Sequence, residues 1–69
     1  MPITMVRKGE TVVVRRITGS ASIREHLASL GFTIGSPVMI VCEVVGRLVL
    51  QISGSQIALE KSMADRILI

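Results

Sequence analysis

Ser20-Ala21-Ser22-Ile23-Arg24-Glu25-His26-Leu27-Ala28-Ser29-Leu30-Gly31-Phe32-Thr33-Ile34-Gly35 is the stretch from which the rest of the chain is read. Ser22 is a good N-cap, because its hydroxyl can accept from the amide three residues on. Glu25 stands at that third position and can bond back to the Ser22 amide, completing a capping box. Ile23, Leu27 and Leu30 recur at i, i+4 and i+7, on one face of a 3.6-residue period. Gly31 follows at C′, where a left-handed backbone costs glycine little. Phe32 stands at C″, placed to touch Leu27 at C3. The pattern predicts one short α-helix over about 22–30. A helix of that length is not stable alone in water, so it must dock on a sheet.

On the N-terminal side, residues 2–8 read as a short strand or extended arm, and Lys8-Gly9-Glu10 as a turn. Thr11 to Thr18 is β-branched and reads as a strand, with Val12 and Val14 on one face. Arg15-Arg16 interrupts the alternation and predicts a bulge or bend. Two adjacent strand residues point to opposite faces, so at most one of them faces inward, near a barrel mouth.

On the C-terminal side, Gly35-Ser36-Pro37 turns the chain into the apolar run Val38–Val45, a strand covered on both faces for part of its length. Gly46-Arg47 reads as the next turn. Leu48–Ile52 is a strand with Leu48, Leu50 and Ile52 on one face, Ser53-Gly54 a tight turn, and Gln56–Leu59 pairs back. A helical turn near 61–65 points Met63 and Ala64 inward. Arg66–Ile69 is a closing strand that pairs with the first. The expected architecture is mainly β: a small barrel of about five strands with its edges removed by closure.

The 69 residues are expected to form a single domain, 1–69. A chain this small buries only ~60% of its unfolded surface. Its one cysteine, Cys42, excludes an internal disulfide and a cysteine-based zinc site. The apolar fraction of 49% is generous for so much surface, so some apolar area is expected outside, for a homo-oligomer or a partner. There is no run of about eighteen apolar residues and no cationic segment followed by an apolar one at the start. A cytoplasmic protein is the expectation.

The net charge of +3 favours acidic partners without choosing among them. With no Trp, no Tyr and one Phe, the stacking platform of single-strand nucleic-acid binders is missing, which disfavours nucleic acid. Arg15, Arg16, Arg24 and Arg47 are the candidate partner-facing cations. His26 and Cys42 are isolated ligand types, short of the three or four that a metal site needs, so no metal is expected. No Gly-rich loop ends in Gly-Lys-Ser/Thr, and no Ser has a base in sequence context. No cofactor and no enzymatic activity are expected. Leu27, Leu30, Gly31 and Gly35 read as architectural.

Those same residues carry a resemblance. Lys8-Gly9-Glu10, the run Arg24–Gly35 with its Leu-x-x-Leu-Gly-(apolar)-x-x-Gly core, and Ile57-Ala58-Leu59 followed by Met63–Ile67 resemble the ferrous iron transport protein A family, FeoA, over essentially the whole chain. The resemblance implies an SH3-like β-barrel and a small cytoplasmic accessory of ferrous iron uptake. It further implies a partner, the FeoB-type membrane transporter with its G-protein domain, met at the inner face of the membrane. The family's longer loop between the third and fourth strands, often with proline, is reduced here to Val45-Gly46-Arg47. The fold resemblance extends to the C-terminal domain of iron-dependent repressors. Two alternatives to the accessory role are a small basic nucleic-acid-binding barrel and a metal-dependent regulatory domain of that repressor type. An SH3-like barrel does not by itself bind proline motifs, since that groove is lined by aromatics.

Overall fold

In the computed structural model, which describes residues 1–69, six short strands and two helices enclose a core without a single buried polar side chain. The strands are β1 (Thr11–Val13), β2 (Arg16–Ile17), β3 (Pro37–Val44), β4 (Arg47–Ile52), β5 (Ser55–Glu60) and β6 (Ile67–Leu68). Helix α1 spans Ala21–Ser29 and helix α2 spans Lys61–Ala64. One antiparallel sheet has the order β1-β3-β4-β5, and β2 pairs with β6 in a second. The expected strand over Thr11–Thr18 is thus one bent element. It breaks at Val14-Arg15, where Val14 turns into the core and the chain passes from one sheet to the other. Counted that way, the structure has the expected five strands.

The break is the bend expected at Arg15-Arg16, and it leaves no arginine at a barrel mouth. Neither faces inward; both are exposed. Once the strand leaves its first sheet, the two residues no longer share a pleat. The Arg15 amide donates instead to the Leu68 carbonyl at 2.8 Å, outside the larger sheet.

The N-cap of helix α1 lies two residues before the expected one. Ser20, not Ser22, is the N-cap, and its Oγ accepts from the Ile23 amide at 3.3 Å. Beginning at Ala21 gains further backbone hydrogen bonds for few residues fixed, and no carboxylate then stands at N3 to form a capping box. The stop is as expected. The Gly31 amide donates to the Ala28 carbonyl at 2.9 Å and the Phe32 amide to the Leu27 carbonyl at 3.1 Å, with Gly31 at φ +106°. This is the paired Schellman arrangement.

Strand β4 shows the expected alternation. Leu48, Leu50 and Ile52 are buried while Val49 and Gln51 are half-buried on the other face. Strand β3 is buried at Val38 and Ile40. Its register against β4 shifts between Ile40 and Cys42, and from Glu43 onward it projects into solvent. The turn that follows is Val45-Gly46, with Arg47 already paired in β4 opposite Val44.

The N-terminal arm differs from expectation. Ile3–Met5 is a 3-10 turn whose Ile3 is fully buried, and only Pro2 makes a bridge, to Leu68. Strand β6 pairs along its length with β2, where Arg16 faces Leu68 and Ile17 faces Ile67, and the chain end also meets the opening arm as expected, the Ile69 amide donating to the Met1 carbonyl at 2.9 Å beside the Pro2–Leu68 bridge. Helix α2 buries Ala64, half-buries Met63, and is tied to the arm by Thr4 Oγ1 donating to Asp65 Oδ1. No helix is long and apolar enough to cross a membrane.

Candidate functional site

The chemistry available lies on the surface, since every one of the twelve buried side chains is apolar. Three shallow depressions mark that surface. The first, about 320 Å³, is built from four elements: His26 of α1, Arg47 of β4, Ala58, Leu59 and Glu60 of β5, and Met63 of α2. Register explains its composition. Arg47 lies opposite Glu60 at the end of the β4–β5 ladder, so both long side chains stand at one rim. The short helix α2 follows directly and brings Met63 to the same place.

The β3–β4 hairpin tip adjoins this depression. The Lys61 amide donates to the Gly46 carbonyl at 3.2 Å, and Lys61 Nζ lies 2.6 Å from Glu43 Oε1, the single salt bridge of the molecule. The tip carries Val44, 52% exposed, and Val45, 96% exposed. The second depression lies along α1 between Ala21, Arg24, Glu25 and Ala28. The third lies on β1, between Thr11, Val12, Val13, Arg15 and Ile69.

The four arginines singled out from the sequence are all exposed, and none is held by an acid within salt-bridge distance. The structure does not gather them in one depression. Arg47, Arg24 and Arg15 line the first, second and third in turn, and Arg16 lines none. Leu27 is buried and Leu30 half-buried against the core. Gly31 and Gly35 both adopt positive φ, +106° and +90°. His26 lines the first depression and Cys42 is half-buried on β3; neither belongs to a cluster of three metal-ligating side chains.

Sequence reading missed the hairpin tip and the depression beside it. The signal for the tip was present: an apolar run that continues through Val44-Val45 into a two-residue X-Gly loop. The depression has no such signal, because it joins side chains from residues 26, 47, 58–60 and 63 that only the tertiary fold assembles.

An apolar core enclosed by two small sheets, with open, shallow, mixed-polarity depressions and a protruding tip, defines an SH3-like β-barrel that offers contact surface. The FeoA domain family matches residues 1–69, and the chain belongs to that family. A protein of Methanocaldococcus jannaschii named as an Fe(2+) transport protein A is 28% identical over 68 residues, which is 99% of this chain and 83% of the other. A crystallised iron uptake regulatory protein, FeoA, superposes with a TM-score of 0.86 at 27% identity, covering 96% of this chain and 88% of that one. The FeoA of Stenotrophomonas maltophilia, described as an SH3 domain protein and crystallised with zinc, superposes at 0.86 with 24% identity over 99% and 87% of the two chains; at that identity the likeness is one of fold. The fold also recurs in a manganese-dependent transcriptional repressor, at 0.86 and 23% identity, over 39% of its chain.

Proposed function

We propose that this protein is a cytoplasmic accessory of ferrous iron uptake that binds the cytosolic portion of a FeoB-type GTPase transporter and alters its assembly or activity. The observation that carries the reading is the family match over residues 1–69. It is supported by the surface: open depressions, a projecting apolar tip, and cations left free to meet a partner. Arg15, Arg16, Arg24 and Arg47 supply electrostatic attraction to an acidic partner. Such exposed charges act more on encounter rate and selectivity than on affinity. The iron is the transporter's cargo in this reading, not a resident group of the accessory, which performs no chemistry of its own.

The test is co-purification. Affinity-tagged protein is mixed with a detergent extract of membranes containing the intact transporter. Retention of the transporter in near-stoichiometric amount at moderate salt is expected. Its complete absence from the retained fraction, with the transporter intact in the extract, would refute the reading.

A further inference from the structure

The β3–β4 hairpin turns on two residues, Val45 and Gly46, with φ of +42° and +75°. Both central positions of this kind of two-residue loop need positive φ, and Asn-Gly or Asp-Gly is the usual solution. Gly46 fits. Val45 does not, because a β-branched side chain in the left-handed region is a steric outlier. The other two-residue hairpin, between β4 and β5, puts the small polar Ser53 at the equivalent place, with φ +50°. Val45 is also the most exposed large apolar residue, at 96%. Two separate penalties, backbone strain and hydration of an apolar side chain, thus fall on one residue. The turn requires the conformation but not a valine in it, and an outlier of that kind is a pointer to function.

The collar of the tip decides what the tip meets. Glu43 and Glu60 stand there with Arg47 and Lys61, so its formal charges cancel. Glu43 and Lys61 are held together at 2.6 Å. A tip built to enter an anionic lipid surface carries an excess of Lys and Arg, not a balanced ring. An apolar point inside a ring of both signs is complementary to a folded protein that offers an apolar pocket with a charged rim of both signs. This is the anchor-and-rim anatomy of protein interfaces.

We propose that Val45, with Val44 behind it, is the anchor by which this chain docks into an apolar pocket of its protein partner. The proposal rests on the transporter reading for the identity of that partner. The strained turn presents the side chain outward in the free state, so no rearrangement is needed on binding.

Three proteins test it: wild type, Val45→Asn and Val45→Ile. Each is titrated against the purified soluble GTPase portion of the transporter, against the intact transporter in detergent, and against vesicles containing anionic lipid. Asn tolerates positive φ and is polar; Ile keeps the strain and the apolar surface. Val45→Asn is expected to raise Tm by about 4 °C or more, since it relieves the turn. It is expected to weaken transporter binding at least ~10-fold, the loss of one buried valine side chain. Val45→Ile is expected to bind within about threefold of wild type, well inside that tenfold step. Wild-type binding that Val45→Asn leaves unchanged overturns the anchor while the transporter reading stands. Failure of all three to bind either form of the transporter overturns both. Vesicle binding lost in Val45→Asn, with transporter binding unaffected, would make the tip a membrane element instead.

Discussion

The Phe32 amide donates to the Leu27 carbonyl at 3.1 Å, and both side chains are fully buried. One turn of chain thereby ends helix α1 and places the only aromatic residue in the core, and the reversal passes through Gly31 at φ +106°. A Cβ at Gly31 would meet the Ile52 side chain no closer than 3.8 Å, an ordinary contact. Gly31→Ala is therefore expected to destabilise through backbone conformation alone, by about 1–2 kcal/mol. Urea unfolding followed by circular dichroism measures it. A loss much above that range would mean that the reversal itself has rearranged.

The N-cap separates two serines two residues apart. Ser20→Ala removes the acceptor for the Ile23 amide and is expected to cost about 1 kcal/mol. Ser22→Ala, on an exposed helical position, is expected to stay within about 0.5 kcal/mol of wild type. Paired thermal melts decide between them, and the reverse ranking would restore the Ser22–Glu25 capping box.

Ile3 is the core residue that periodicity does not reveal. It lies in a 3-10 turn of three residues, too short for any period, and is buried only because the arm folds against α2. Ile3→Ala is expected to destabilise by about 2–5 kcal/mol, as for other fully buried isoleucines. In a domain this small that loss is a large share of total stability, read as a drop in Tm and in the urea midpoint. A change below about 1 kcal/mol would show that the arm is not part of the folded unit.

How much was legible follows from range. The stop of α1 is local: Leu27, Gly31 and Phe32 lie within six residues, and the sequence reading of it matches the structure. The face of β4 is also local, since alternation of Leu48, Leu50 and Ile52 is a property of one strand. The N-cap of α1 was misplaced because Ser20 and Ser22 offer the same capping chemistry, and only packing chooses. Gly19, at φ +108°, supplies the turn immediately before Ser20. The break between β1 and β2, the partner of β6, and the depression around His26, Arg47 and Met63 depend on contacts far apart in sequence. All four arginines are exposed, and the spread of Arg47, Arg24 and Arg15 over three distinct depressions, with Arg16 in none, is a tertiary fact.

That separation has a consequence for binding. Arg47 stands beside the hairpin tip, whereas Arg24 and Arg15 line other depressions. Charge reversal at Arg47 is expected to weaken transporter binding most, by several-fold, and to change its salt dependence. Arg24→Glu and Arg15→Glu are expected to act mainly on the association rate. Surface plasmon resonance resolves the two effects. Equal losses at all three positions, confined to the association rate, would mean a general field rather than a contact at Arg47.

The proposed role requires this chain to bind the transporter as a protein partner. Isothermal titration of the purified protein into the soluble GTPase portion, with GDP and with a GTP analogue at low and moderate salt, tests it most directly. A random oligonucleotide serves as the competing ligand. Saturable binding to the GTPase portion that survives moderate salt, with weak binding to the oligonucleotide, is the predicted result. Tight oligonucleotide binding that falls steeply as salt rises, with no heat from the GTPase portion under either nucleotide, would contradict it.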